Sequence, residues 1–165
     1  MKKHLYFICP TDSLESLINH SFDQENYFLT SLGNSMAFDP EKVDQLVELL
    51  TTEGIKDITF ILSDNNEIVL DALGPKNFSG FGGLKALYNS IATEKRVCEE
   101  VWQNGDRHFL ILSYYLNGKV NDLRMELDEN ALDPIHINAK IFKREYETFV
   151  DTYPQVILKD SFALN

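Results

Sequence analysis

The sequence has few cysteines, few positive charges and no long apolar run, and each shortage excludes a class of protein. Two cysteines among 165 residues, Cys9 and Cys98, are too few for a disulfide scaffold, so we expect free thiols in a reducing compartment. Fifteen Lys and Arg against 26 Asp and Glu give a net charge of −11. That charge excludes a general binder of nucleic acid or anionic membranes, because both need a cationic surface. The longest nearly apolar stretch, residues 109–116, is far shorter than the roughly 20 residues of a membrane span.

The N-terminus imitates a secretory signal without completing one. Lys2 and Lys3 precede an apolar run, but the run covers only residues 5–9, and Pro10 and Asp12 follow it at once. Hydrophobic residues make up 44% of the chain and aromatic residues 12%, which is too apolar a composition for a disordered protein. We therefore expect a soluble, cytoplasmic protein with one hydrophobic core.

In the first half of the chain, short apolar runs alternate with helical patterns. The predicted strands are residues 5–9, 27–29 and 58–62. The clearest helix begins at Asp39, which caps it ahead of Pro40, and ends at Gly54. A shorter helix is predicted over residues 67–73. This alternation predicts a parallel sheet with right-handed crossovers, in which ligands bind beyond the carboxyl ends of the strands.

Polar and glycine-rich segments at these strand ends have both structural and functional interpretations. Asp12 and Glu15 have capping-box spacing, which favours a helix start over a functional carboxylate pair. Residues 63–66 favour a turn that caps the next helix, with a polar pocket as the alternative. Residues 74–83 are rich in glycine but match neither phosphate-loop spacing, so a flexible connection is the favoured interpretation.

The second half of the chain predicts a long helix, a hairpin and another helix. The long helix covers residues 84–103 and ends at Gly105. Residues 109–112 are apolar on both faces and predict a central strand. The Asn-Gly pair at 117–118 predicts a hairpin turn, and residues 122–127 alternate as an edge strand would.

The C-terminal part is predicted to be helical from Asp133 and Pro134 onward. Its aromatic residues are spaced alternately by four and three positions, as on one helix face, and are Phe142, Tyr146, Phe149 and Tyr153. The isoleucines at 135, 137 and 141 favour a strand for the first part of this segment, and both alternatives stay open. A short apolar run follows at residues 156–158.

These elements predict one α/β domain over residues 1–165. Its architecture is three-layer α/β/α, with a central, mostly parallel sheet and an antiparallel edge hairpin. Residues 1–130 form the core and residues 131–165 a helical C-terminal extension.

The three strand ends, taken in order, resemble those of the β-class carbonic anhydrases, especially the short single-domain members. The first strand of that family ends in Cys-x-Asp-x-Arg, and residues 9–13 here read Cys-Pro-Thr-Asp-Ser. The second ends in a segment like Arg-Asn-Ala-Gly-Asn, and residues 30–34 read Thr-Ser-Leu-Gly-Asn. The third runs into Gly-His-x-x-Cys-Gly, where residues 63–66 read Ser-Asp-Asn-Asn. The resemblance covers about residues 4–127 and includes the family's late hairpin, at 111–123 here.

The resemblance implies a zinc site that this sequence does not complete. The family's zinc is held by two Cys, one His and, in some states, the Asp. On this alignment Cys9 is kept, Ser63 stands at the His position and Asn66 stands at the position of the second Cys. Thr11 and Ser13 stand at the Asp and Arg positions, so the pair that orients the family's bound water is missing. Zinc hydrolysis needs three protein ligands and a bound water, so we expect no metal and no cofactor.

The candidate site is therefore a strand-end pocket without a metal. Its catalytic candidates are Cys9 and Asp12, the latter one residue beyond the aligned Asp position. The pocket candidates are Cys9, Thr11, Ser13, Gly33, Asn34, Ser63, Asp64 and Asn66. Cys9 has two interpretations, a thiol activated beside a helix N-terminus or a small buried core residue, and the second is favoured.

Three functional hypotheses follow. The first is a carbonic-anhydrase-like protein that has lost zinc-dependent CO2 hydration and acts as a non-catalytic binding or regulatory module. The second is an enzyme that reuses the pocket with Cys9 as a reactive thiol. The third is an interaction protein that acts through its aromatic C-terminal helix. The resemblance implies a homodimer, and a small ligand or a protein is the expected partner, with no nucleic acid and no membrane.

Overall fold

Five strands form one sheet in the computed structural model, which describes residues 1–101, 106–129 and 133–154. The strands are β1 (Lys3–Ile8), β2 (Glu25–Thr30), β3 (Asp57–Ser63), β4 (His136–Lys143) and β5 (Thr148–Asp151). The helices are α1 (Glu15–Ser21), α2 (Pro40–Glu53), α3 (Glu67–Leu73), α4 (Lys85–Val101) and α5 (Arg107–Glu129). The predicted helix end at Gly105 and the apolar run at 156–158 lie outside the described residues.

The strand order is β2-β1-β3-β4-β5, with every pair parallel except β4 and β5, which are antiparallel. Helices α2 to α5 pack on one face of the sheet and form the larger core. Helix α1 packs on the other face, over a smaller cluster centred on Tyr6, Ile8, Ile61 and Phe142. The prediction of a three-layer α/β fold with a mostly parallel sheet and an antiparallel edge is confirmed. No helix in the described part of the chain is long and apolar enough to cross a membrane.

Helix α2 forms where the sequence predicts it, for the reasons the sequence indicates. The Asp39 carboxylate accepts a hydrogen bond from the Lys42 amide at 2.9 Å, and Pro40 occupies the first turn. Gly54 ends the helix at φ +67°, the left-handed conformation that glycine adopts without strain. The prediction of α3 over residues 67–73 is also confirmed.

The hairpin predicted over residues 109–127 is wrong, because this segment is the 23-residue helix α5. Residues 109–116 are all buried, since α5 packs against the sheet on one side and against α4 on the other. An apolar run without periodicity is typical of a helix buried on all sides as well as of a central strand. Gly118 lies in the helix interior between the buried residues Leu116 and Val120, whose packing outweighs the turn preference of the Asn-Gly pair.

The C-terminal helix predicted from Asp133 is wrong, and the alternative of a strand is correct. Strand β4 pairs with β3 in the interior of the sheet, and β5 forms the antiparallel edge beside it. Within residues 133–154, the predicted helical extension is therefore wrong, because this part of the chain supplies two strands of the sheet. The aromatic residues share no helix face: Phe142 and Phe149 pack together under α1, whereas Tyr146 is exposed. The assignment of one domain over residues 1–165 stays a prediction.

A chain of hydrogen-bonded polar side chains lies near the amino ends of β1, β3 and β4. Thr59 Oγ1 donates to Asn138 Oδ1 at 2.6 Å, so the His4 Nε2 atom, 2.8 Å away, is the donor to Thr59. The His4 ring also stacks on Tyr6, with centroids 4.3 Å apart. Burial is the largest influence on this ring and lowers its pKa to about 4, against a smaller opposing effect of Asp57.

We expect the stability of the folded chain to fall as the pH is lowered from about 6.5 to 4. The folded state keeps His4 neutral while the unfolded state takes up a proton, so the His4 contribution is present above pH 6.5 and is lost below it. A shift of this size corresponds to about 3 kcal/mol at most, and solvent screening of the half-buried ring reduces this to about 2 kcal/mol. Urea unfolding at several pH values should show this slope in the native chain and in His20→Gln, whose histidine is exposed. A His4→Gln variant that keeps the full slope would refute this assignment.

Candidate functional site

The candidate site lies at the carboxyl edge of the sheet, where the ends of β1 and β3 separate. The chain leaves β1 toward β2 on one side, and β3 lies on the other side of β1, so the strand order reverses between β1 and β3. This reversal is the position at which α/β sheets bind ligands. The segments that follow β1, β2 and β3 supply the predicted site residues.

Cys9 directly follows β1, and its side chain is fully buried. Its Sγ atom accepts a hydrogen bond from the Gly33 amide at 3.1 Å. The Thr11 hydroxyl lies at the same distance from Sγ and shares a second hydrogen bond with it. The thiol therefore links the end of β1 to the turn after β2, and the interpretation of Cys9 as a buried core residue fits its position.

Asp12 does not cap α1, so the predicted capping box is wrong. Asp12 ends a 3-10 turn, and the residue before α1 is Leu14, which makes no side-chain cap. The Asp12 carboxylate instead accepts hydrogen bonds from the Ser63 amide at 2.9 Å and from Asn66 Nδ2 at 3.0 Å. It is buried, so a local capping signal has been replaced by partners more than fifty positions away in the sequence.

Ser63 and Asn66 complete this network from the end of β3. Asn66 Oδ1 accepts from the Val69 amide at 3.0 Å and so caps α3, as the turn interpretation of residues 63–66 predicts. Its Nδ2 atom donates to Asp12 and lies 3.5 Å from the Thr11 hydroxyl. The Ser63 hydroxyl donates to Asn65 Oδ1. The side chains of Ser63 and Asn66, which stand at the aligned positions of the zinc-binding His and second Cys, are therefore both held in hydrogen bonds within the protein.

Burial is the largest influence on the Asp12 carboxyl group and raises its pKa above the ordinary range. The hydrogen bonds from Ser63 and Asn66 and the positive charge of Arg144 lower the pKa and offset part of this effect. The carboxylate therefore depends on its hydrogen-bond donors to remain in a buried position.

Gly33 and Asn34 form the turn after β2, and both have left-handed backbone conformations, with φ +60° and +56°. Asn34 Nδ2 donates to the Ile61 carbonyl at 3.0 Å, which places the buried Asn34 amide between the diverging ends of β1 and β3. Asn34 Oδ1 is buried without a hydrogen-bond partner in the described part of the chain. The Tyr115 hydroxyl donates to the Gly33 carbonyl at 2.7 Å and holds the turn from α5.

Sequence reasoning misses two residues that hold this site, Tyr115 and Arg144. Arg144 lies in the turn between β4 and β5, where its Nη2 atom donates to the Asp12 carbonyl at 2.8 Å and its guanidinium lies 5.0 Å from the Phe142 ring. Its backbone amide donates to the Asp64 carboxylate at 3.2 Å. Asp64 thus joins the turn between β4 and β5 to the end of β3. No local sequence signal marks either residue: Tyr115 belongs to a segment predicted to be a hairpin, and Arg144 follows a segment for which helix and strand are both open alternatives.

The residues at this edge do not fit a zinc ion. Zinc in proteins is held by Cys, His, Asp or Glu, and no three such side chains converge within residues 1–101, 106–129 and 133–154. Cys9 and Asp12 are the two side chains of that kind nearest the aligned zinc positions, and both Asp12 oxygens already accept hydrogen bonds. Thr11, Ser63 and Asn66 supply neutral oxygen and nitrogen atoms in place of thiolate and imidazole.

Comparison with known proteins finds similarity in structure and none in sequence. No protein-family model matches the chain, and no curated protein matches it. A β-carbonic anhydrase of the fungus Aspergillus fumigatus superposes with a TM-score of 0.69 at 17% identity, covering 90% of this chain and 88% of that one. The Coccomyxa β-carbonic anhydrase in complex with acetazolamide gives 0.69 at 12% identity, covering 99% and 84%. A tetrameric β-carbonic anhydrase of Sordaria macrospora gives 0.66 at 13% identity, covering 93% and 81%.

The chain therefore has the β-carbonic anhydrase fold. This confirms the fold that the strand-end resemblance implies. At these identities the likeness extends to the fold alone, and function depends on the residues at the site.

Proposed function

We propose that this chain is a non-catalytic binding or regulatory module built on the β-carbonic anhydrase fold. The observation that supports this is the Asp12 network, in which Ser63 and Asn66, which stand at aligned zinc positions, both donate hydrogen bonds to the neighbouring Asp12 carboxylate. Asp12 accepts from the Ser63 amide and from Asn66, while the thiol of Cys9 accepts from Gly33. The proposal includes loss of zinc-dependent CO2 hydration.

The chemistry of the donor set supports this loss. Hydration at neutral pH needs a metal that brings the pKa of its bound water to about 7. One thiol and one carboxylate supply fewer than the three protein ligands of a catalytic zinc. The buried Asp12 carboxylate would also have to release two hydrogen-bond donors before it could bind a metal.

The two alternative functions have less support from the geometry. A reactive-thiol enzyme needs an accessible, activated cysteine, and Cys9 is fully buried. An interaction protein that acts through an aromatic C-terminal helix loses its basis, because residues 136–143 and 148–151 are strands.

We further propose that the protein is a cytoplasmic homodimer with a small ligand or a protein as its partner. The Sordaria macrospora structures are described as tetrameric, which supports assembly as a property of proteins with this fold. The two buried free cysteines are consistent with a reducing compartment.

We expect the purified chain to bind no stoichiometric zinc and to leave CO2 hydration at the uncatalysed rate. The protein is incubated with zinc, passed through a desalting column and analysed for metal, and hydration is followed by stopped-flow pH change. A triple variant, Thr11→Asp with Ser63→His and Asn66→Cys, serves as the matched control, because it restores the aligned ligand types beside Cys9. Retention of about one zinc per chain by the unmodified protein, or hydration above background, would refute the proposal.

A further inference from the structure

A cavity of about 370 Å³ lies outside the strand-end site, between α4, α5 and the irregular segment that follows Asn34. Its walls combine apolar side chains, such as Phe38 and Leu87, with the hydroxyl groups of Ser35 and Ser90. A volume of this size falls within the range of small-molecule sites, which are mostly apolar and carry a few placed polar groups.

Lys119 places a positive charge on the α5 wall of this cavity. Its Nζ atom donates to the Met36 carbonyl at 2.7 Å and lies 4.9 Å from the centre of the Phe38 ring. Burial is the largest influence on this group and lowers its pKa, against a smaller opposing effect of Asp122. In the part of the chain that the structure describes, no carboxylate lies within 4.0 Å of Nζ, so the ammonium group contacts a carbonyl and a ring, and Asp122 acts on it only from a greater distance.

Negative charge lies on the same wall of the cavity, along the same helix. Asp122 follows Lys119 by three positions and Glu126 by seven, and both line the cavity. A ligand with only a carboxylate would leave Asp122 without a counter-charge, and a ligand with only an amine would leave Lys119 without one. The separated charges instead complement a ligand that carries both signs.

We propose that this cavity binds a small apolar α-amino acid. The ligand carboxylate pairs with Lys119 and the hydroxyl groups at the rim, the ligand ammonium pairs with Asp122, and the side chain packs against Phe38 and Leu87. This site is distinct from the strand-end network, and the proposal stands whether or not that network is catalytic. Tyr115 connects the two, because it lines the cavity and its hydroxyl donates to the Gly33 carbonyl.

Isothermal titration of the full chain tests the proposal with four named probes. L-Leucine and L-phenylalanine are the amino acids, 4-methylpentanoate is leucine without its amino group, and 3-methylbutylamine is leucine without its carboxylate. We expect an amino acid to bind at least about tenfold more tightly than either analogue, because each analogue leaves one charge of the cavity without a counter-charge. Equal binding of leucine and 4-methylpentanoate, or no binding of either amino acid, would overturn the proposal.

Two variants test whether the amino acid binds in this cavity. Ser90→Leu fills the rim, and Asp122→Asn removes the charge that faces the ligand ammonium; each should weaken leucine binding at least about tenfold. Asn89→Leu is the matched control, since Asn89 is exposed on the same helix and does not line the cavity. Undiminished binding in Ser90→Leu and Asp122→Asn would place the ligand elsewhere. Dissociation of an oligomer by Ser90→Leu, with no leucine binding in the parent, would show that a second copy covers this face.

Discussion

Replacing Gly33 with alanine is expected to destabilise the folded chain by about 2–4 kcal/mol. Gly33 has φ +60°, and a Cβ atom there would lie 2.5 Å from Leu87 Cδ1 and 3.1 Å from Ile68 Cγ2. Both side chains are buried in the larger core: Leu87 Cδ1 is the end of a flexible side chain that borders the cavity beside α5, whereas the β-branched Ile68 is held by its core neighbours. The left-handed backbone adds strain of about 1 kcal/mol for any residue with a Cβ.

Gly54→Ala is the matched control for this prediction. Gly54 has φ +67°, and a Cβ atom there would have no neighbour within 4 Å. The Gly54→Ala variant therefore measures the backbone strain alone, and we expect its free energy of unfolding to fall by about 1 kcal/mol. Urea unfolding of the two variants separates the effects, and a Gly33→Ala loss equal to that of Gly54→Ala would show that the core accommodates the methyl group. In the double variant Gly33→Ala with Leu87→Ala, the total loss should be smaller than the sum of the single losses, because the contact is removed.

The first half of the fold could be predicted from sequence because its signals are local. Helix α2 has a cap at Asp39 and a stop at Gly54, and both hydrogen bonds form within one turn of the helix. The short strands β1 and β3 are buried on both faces, so their apolar composition needs no knowledge of their partners.

The second half could not be predicted because burial removes the periodicity that separates helix from strand. Residues 109–116 are buried on every side of α5, so their apolar run carries no helical pattern. In β4, the buried residues alternate, but the aromatic spacing across Phe142, Tyr146 and Phe149 imitates a helix that does not form. The isoleucine pattern favours the strand that forms, but neither pattern predicts the turn after it that brings Arg144 to the site.

At the candidate site too, local sequence patterns fail to predict the partners of single residues. The strand-end resemblance predicts that the segments after β1, β2 and β3 lie at one edge of the sheet. The strand order β2-β1-β3 makes these strands neighbours, and Cys9, Gly33, Ser63 and Asn66 lie at their carboxyl ends. The role of Asp12 could not be predicted, since a capping box is a local pattern and its real partners lie across the sheet edge. A local signal is outweighed when burial makes the carboxylate accept hydrogen bonds from distant groups.

We expect Asp12→Ala to destabilise the chain by about 3–5 kcal/mol, because it leaves two buried donors without an acceptor. The Ser63 amide and Asn66 Nδ2 both donate to this carboxylate, and the Asp12 side chain is buried with them. Loss of the Asn66 contact also loosens the residue that caps α3. Urea unfolding followed by circular dichroism measures the total loss, and hydrogen exchange at the Ser63 amide measures the local one.

Two further variants separate this network from the capping box that the sequence predicts. Asp12→Asn keeps one acceptor and turns an amide group toward the second donor, so we expect a smaller loss of about 1–3 kcal/mol. Glu15→Ala is the control, since a capping box assigns comparable losses of about 1 kcal/mol to both acids. The structure assigns Glu15 no hydrogen bond to a residue before α1, so its replacement should change the stability by less than about 0.5 kcal/mol. Equal losses in Asp12→Ala and Glu15→Ala would restore the capping box and remove the main support for a network in place of the zinc site.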